Sequence, residues 1–103
     1  MNRLIQAKQL QDRTKAFAVR IIKTFARLPK DEAMRIIGRQ FLRSGTSLAA
    51  NYRAACRARS GADFISKISV VAEEADETTL LVRIVGRSRI DQIQTTGRID
   101  EGM

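Results

Sequence analysis

The chain has 103 residues and a formal net charge of +8, from nineteen Lys and Arg against eleven Asp and Glu. That length makes one domain with a small core, and so basic a balance points to a polyanionic partner, most often nucleic acid. With no His and a single cysteine, Cys56, the common catalytic triads, His-containing metal sites, di-iron bundles and an intramolecular disulfide are excluded.

Fourteen of the nineteen cations are Arg, whose rigid fork of donors suits phosphates. Helix formers dominate, and the Val and Ile residues recur at helical rather than alternating spacing, so the chain reads as all-α. A lone cysteine fits a reducing compartment. No apolar run approaches a membrane span, and the N-terminus MNRLIQAKQLQDR lacks the apolar core of a signal peptide. The expectation is a cytoplasmic protein with no membrane partner.

Residues 1–8 read as a frayed lead-in. From about Gln9 to Leu28, the apolar positions Leu10, Phe17, Ile21, Phe25 and Leu28 share one face, as in an amphipathic helix. Pro29 stops it, because the residue before a proline avoids the α region. A second helix is expected from about Asp31 to Ala58, with Asp31 and Glu32 at its positive end. Gly38 and Gly45 lie inside it. Each costs about 1 kcal/mol relative to Ala, which the close approach of a neighbouring helix would explain.

Ser60-Gly61-Ala62-Asp63 looks like a turn with a capping box. It opens a third helix at Phe64, whose inward face is expected at Phe64, Ile68, Val71, Ala75, Thr78 and Val82. Its middle is acidic, with Glu73, Glu74, Asp76 and Glu77, which suits antiparallel packing beside the basic second helix. After Gly86 the periodicity decays, leaving a short fourth helix around Ser88 to Gln94. The expected division is a helical bundle core over residues 1–86 and a short fourth helix or poorly ordered basic tail over 87–103.

The second helix carries three faces rather than two. Met34, Ile37, Phe41, Leu48, Tyr52 and Ala55 form an apolar arc. Gln40, Ser44, Ser47 and Asn51 form a polar strip beside it. Arg35, Arg39, Arg43, Arg53 and Arg57 fall within roughly 80° of each other on the far side, along about 33 Å of helix. The polar strip reads either as side chains bonding back to helix carbonyls or as a seam that sets helix packing or an oligomer interface. The Arg stripe reads either as a solvated outer face or as a phosphate-contact surface. With Tyr52 on the apolar side, base stacking is not indicated.

No catalytic residue, metal site or cofactor is expected. Glu73, Glu74 and Glu77 point in different directions around the helix and make no acid–base pair. Cys56 reads as an inert small residue, although Arg53 and Arg57 lie nearby in sequence. No phosphate-cradling Gly-rich motif is present.

The segment RSGTSLAANYRAACRARSGADFISKISVVAEEADET, Arg43 to Thr78, closely resembles the small bacterial four helix bundle proteins, often described as large-subunit ribosomal RNA intervening-sequence proteins. The pattern falls on Gln40, Arg43, Ser44, Ser47, Asn51, Ala54, Ala55, Ser60, Asp63, Phe64, Glu73, Glu74 and Glu77. The upstream stop Ala26-Arg27-Leu28-Pro29 also fits. The likeness covers roughly residues 12–80. It implies an up-and-down helical bundle without enzymatic activity. A related group, the accessory proteins of diversity-generating retroelements, implies a basic pentamer that binds nucleic acid and a reverse transcriptase. Two departures stand out. Arg53-Ala54-Ala55 replaces a segment that is commonly acidic. Thr79 to Met103 is Arg-rich and lacks aromatics, where relatives carry an aromatic-rich helix and a further one. A truncated or frameshifted copy would look like this.

The sequence thus leads to an antiparallel up-and-down bundle of three long helices with a short or degenerate fourth. Its expected function is non-enzymatic binding of RNA or DNA through Arg35, Arg39, Arg43, Arg53 and Arg57, by a homo-oligomer whose packing is set by Gln40, Ser44, Ser47 and Asn51. The alternative is a protein-interaction scaffold or accessory subunit of a nucleic-acid enzyme, with no nucleic-acid contact of its own.

Overall fold

The computed structural model describes the backbone of residues 2–101 and the side chains of residues 3–88. The described chain is all-helical, with α1 at Asn2–Ala26, α2 at Glu32–Ala55 and α3 at Gly61–Glu101, and no strand among the described residues.

Helix α1 begins at Asn2, so the expected lead-in is helical. Its residues, NRLIQAKQ, include no Gly or Pro to interrupt a helix. It ends at Ala26, two residues before the expected Leu28. Arg27 N–H donates to the Thr24 carbonyl at 3.0 Å and Leu28 N–H to the Phe25 carbonyl at 3.2 Å. These tighter i→i+3 bonds finish the helix ahead of Pro29.

Helix α2 starts one residue after its cap. Asp31 is extended (φ −71°, ψ 164°), and its Oδ1 accepts from Met34 N–H at 2.9 Å, satisfying one of the orphan donors of the first turn. The helix ends at Ala55 rather than Ala58, because Arg57 and Ala58 bond three residues back, to Ala54 and Ala55 at 3.0 and 3.1 Å. Arg57 therefore sits in the turn.

The box at Ser60 is present. Asp63 N–H donates to Ser60 Oγ at 3.1 Å, and Asp63 Oδ2 accepts from Arg59 N–H at 3.1 Å. The return bond goes to the residue before the cap rather than to the cap itself. Beyond it, α3 runs 41 residues without interruption, about 61 Å. The backbone of Ser88–Gln94 belongs to α3, not to a separate helix. The side chains of residues 89–103, on which most of the expected tail falls, lie outside the described residues.

α2 is the central element. Both α1 and α3 pack on it, while the backbones of α1 and α3 stay apart. Side chains bridge them: Ile21, Phe41 and Leu81, one from each helix, form one buried cluster. Leu28, Met34 and Val85 form another. Along α1 and α2 the register runs in opposite senses, since Gly38 meets Phe25 and Leu28 whereas Gly45 meets Ile21. Both glycines do what their cost requires. A Cβ at Gly45 would lie 2.7 Å from Ile21 Cγ1, and one at Gly38 would lie 3.1 Å from Leu28 Cδ1.

The apolar arc of α2 is buried or half-buried throughout, at Met34, Ile37, Phe41, Leu48, Tyr52 and Ala55. Burial raises the Tyr52 phenol above its ordinary value, helped by a bond with Cys56. In α3 the inward face follows the expected one at Ile68, Val71, Ala75 and Thr78, which are half-buried or buried, and departs from it at the two ends. Thr78, Leu81 and Val85 are buried, whereas Phe64 and Val82 stay 43% and 46% exposed. The backbone of α3 packs only on α2, and α1 reaches it through side chains at Leu81 and Val85, so α3 buries a stripe narrower than its apolar sequence.

Candidate nucleic-acid interface

Arg35, Arg39 and Arg53 are exposed on α2, and Arg57 is exposed in the turn that follows. From Arg35 to Arg53 the helix rises about 27 Å. Arg53 borders a depression shared with Lys8, Lys15, Ala49 and Ala50. Arg35 and Arg39 border another with Phe25, Pro29 and Lys30. The stripe therefore faces the α1 side of the molecule, where lysines of α1 and of the connecting turn extend it. No spacing rule links Lys8, Lys15 or Lys30 to the Arg stripe, because they belong to other segments.

Arg43 differs. Its guanidinium donates from Nη2 to Glu77 Oε2 at 2.7 Å and from Nη1 to Glu74 Oε1 at 3.4 Å. The Glu77 bond, then the charges of Glu74 and Glu77, hold Arg43 further toward its charged form. Arg43 lies about 80° around the helix from Arg35 and Arg53, at the edge nearest α3, and there it meets the acidic segment of that helix. It clips α2 to α3, and its charge is already answered. Among the described residues, the ion pairs are this clip, Lys8–Asp12 at 3.2 Å and Lys67–Asp63 at 2.7 Å, and none involves Arg35, Arg39, Arg53 or Arg57.

The polar strip divides. Ser44 is fully buried. Thr78 Oγ1 donates to Ser44 Oγ at 2.9 Å, sharing its proton with the Glu74 carbonyl at 2.7 Å. Ser44 Oγ in turn donates to the Phe41 carbonyl at 3.3 Å. This is a polar link between helices. Ser47 and Asn51 are half-buried and bond locally, with Asn51 Nδ2 donating to the Ser47 carbonyl at 2.8 Å and to Ser47 Oγ at 2.9 Å. Gln40 is exposed. Ser44 thus bonds both across to α3 and back to its own helix, whereas Asn51 bonds only within α2 among the described residues. Thr78 was legible as the polar member of an apolar arc, but its partner was not, since the two are 34 residues apart.

Among the described residues, no three His, Cys, Asp or Glu side chains gather as metal ligands, and no helix is long and apolar enough to cross a membrane.

The model of the 23S rRNA-intervening sequence proteins matches residues 7–99. The chain belongs to that family. The match runs past Thr78 and takes in residues 79–99 of the Arg-rich segment that departs from the expected pattern. The chain is also similar to the crystal structure of a protein of unknown function from the S23 ribosomal protein family of Bacteroides thetaiotaomicron. The two share 38% identity with a TM-score of 0.70, covering 76% of this chain and 72% of that one. No curated protein matches the chain.

Proposed function

We propose that this family member is a non-enzymatic, homo-oligomeric helical-bundle protein that binds RNA or DNA through phosphate contacts. Its three helices are read as an antiparallel up-and-down arrangement. Arg35, Arg39, Arg53 and Arg57 carry the contact, flanked by Lys8, Lys15 and Lys30. Arg43 sets the α2–α3 packing instead. The observation that supports this reading is a difference in charge compensation: acidic residues of α3 answer Arg43, whereas the other four cations stand exposed with no ion pair among the described residues. A charged face with uncompensated Arg attracts phosphates and carries no base-specific information by itself.

The test compares binding of a short duplex by Arg39→Gln, Arg53→Gln and Arg43→Gln. Weaker binding by the first two, with Arg43→Gln near the parent protein, is the expected result. Equal loss in all three, or loss in none, contradicts it.

A further inference from the structure

We propose that the depression at the elbow between α1 and α2 is a subsite for one unpaired nucleotide of the bound RNA or DNA, with its base against Phe25, Pro29 and Met34 and its phosphate between Lys30, Arg35 and Arg39. This rests on the phosphate-contact reading above and deepens it by adding a base. The depression holds about 360 Å³, at the small end of ligand clefts, which run from roughly 300 to 1,000 Å³. That is room for one base and its phosphate, not for a stack of bases.

Its floor and its rim differ in chemistry. The floor is apolar: Met34 is buried, Phe25 and Pro29 are half-buried, and Pro29 has no N–H to donate. The Phe25 ring fits there because α2 has Gly38 beside it. A Cβ at Gly38 would lie 3.2 Å from Cε1 and 3.3 Å from Cδ1 of Phe25. The ring thus rests one edge on α2 and also lines the depression. The rim is cationic. Lys30, Arg35 and Arg39 line it and are exposed, no carboxylate lines it, and none of the three forms an ion pair among the described residues. The carboxylates nearest in sequence are Asp31, which accepts from Met34 N–H, and Glu32, which lies outside the lining. Arg35 and Arg39 stand one turn apart, about 6 Å along the axis, so their guanidinium forks are placed to share one phosphate.

The occupant is a nucleotide because the depression joins two kinds of recognition, and a bare phosphate needs only one. Unstacked bases are held on aromatic rings and Arg planes, and their phosphates by Arg and Lys. The second depression on this face supplies the contrast. It has Lys8, Lys15 and Arg53 but no aromatic side chain, and Asp12 in its wall pairs with Lys8 at 3.2 Å. Backbone contact is what such a site offers. Stacking is not available from α2, whose Tyr52 is buried; the ring comes from α1, across the elbow. From Arg39 to Arg53 the separation is about 21 Å of helix, or about six base pairs of B-DNA, so one short duplex reaches both depressions. A base inside a duplex has its faces covered by its neighbours and must leave the stack to enter, which is why the nucleotide is an unpaired one.

The test measures the affinity of the full chain, by fluorescence anisotropy, for a blunt duplex, for the same duplex with one bulged adenine nucleotide, and for that duplex with an abasic bulge. The bulged duplex should bind at least about fivefold tighter than the abasic one. Phe25→Leu, with helix content kept by circular dichroism, should erase that preference and leave the blunt duplex bound as before. Arg53→Gln should weaken all three alike. Equal affinity for the bulged and abasic duplexes overturns the proposal, whether or not Phe25→Leu folds. So does a preference that survives in folded Phe25→Leu. AMP that binds as tightly as the bulged duplex would assign the depression to a free nucleotide and also overturn it. The two readings fail separately: salt-dependent binding of the blunt duplex with no preference for a base removes this subsite alone, whereas no binding of any duplex removes the phosphate reading and the subsite with it.

Discussion

At the scale of single residues, two buried hydroxyls and two glycines carry the sharpest tests. Ser44 and Thr78 link α2 to α3 and are both buried. Removing one hydroxyl loses a bond worth about 1 kcal/mol, while the other keeps its bond to a helix carbonyl. Ser44→Ala and Thr78→Val are each expected to destabilise by about 1 to 2 kcal/mol, as read from denaturant midpoints. The double variant should cost less than their sum, since the two share one bond. Additive costs would mean that the link contributes nothing beyond each residue's own packing.

The two glycines should separate. Gly45→Ala places a methyl against Cγ1, Cγ2 and Cδ1 of Ile21, at 2.7 to 3.1 Å. Ile21 is buried and β-branched, so it has little freedom to move. Overpacking of this kind costs about 1 to 3 kcal/mol, which outweighs the gain of about 1 kcal/mol in helix propensity. Gly38→Ala meets only the tip of Leu28 and the edge of the Phe25 ring, at 3.1 to 3.3 Å. There the two effects are close to cancelling. Thermal unfolding of both variants checks the contrast, and a lower midpoint for Gly38→Ala than for Gly45→Ala would reverse the account of α1–α2 packing.

At the scale of elements, the starts of α2 and α3 were well marked in the sequence, and the start of α1 and the helix ends less so. Asp31 and Ser60 are short polar side chains placed just ahead of apolar periodicity, and both cap as their chemistry suggests. Asp31→Ala should cost about 1 kcal/mol, measured by chemical denaturation. The Asp63 carboxyl is held below the ordinary carboxylate range, first by its bond from Lys67 and then by the Arg59 N–H. A carboxylate whose folded value is depressed stabilises the fold above its unfolded value, near pH 4, and that contribution is lost as pH falls through the folded value. The start of α3 should therefore lose amide protection in that acidic window. In Asp63→Asn this part of the pH response should disappear; an unchanged profile would show that the carboxylate is not its source.

The central helix was legible because its three faces are separate in sequence: its apolar arc is buried or half-buried, and the polar strip beside it is buried at Ser44. The inward face of α3 was legible at Ile68, Val71, Ala75 and Thr78 but not at its ends, because apolar content does not say which side has a neighbour. Its sequence offers more apolar surface than α2 and the α1 side chains that reach it can cover, and Phe64 and Val82 stay exposed as a result. The Arg stripe was visible as a periodicity, but the departure of Arg43 was not. That residue's role depends on Glu74 and Glu77, more than 30 residues away.

At the scale of the molecule, charge distribution is what ties fold to function. Acidic residues of α3 are spent on the clip to α2 and on local pairs, while the α1–α2 side keeps exposed Arg35, Arg39, Arg53 and Arg57 beside lysines. The most direct measurement is the affinity for a short duplex DNA as a function of salt. Four phosphate contacts give a slope of log affinity against log salt of about −3.6, and each Arg removed should reduce it by about 0.9. The account predicts a slope near that value for the parent protein, a shallower one for Arg39→Gln and Arg53→Gln, and no change for Arg43→Gln. A slope near zero, or one that only Arg43→Gln alters, would contradict it.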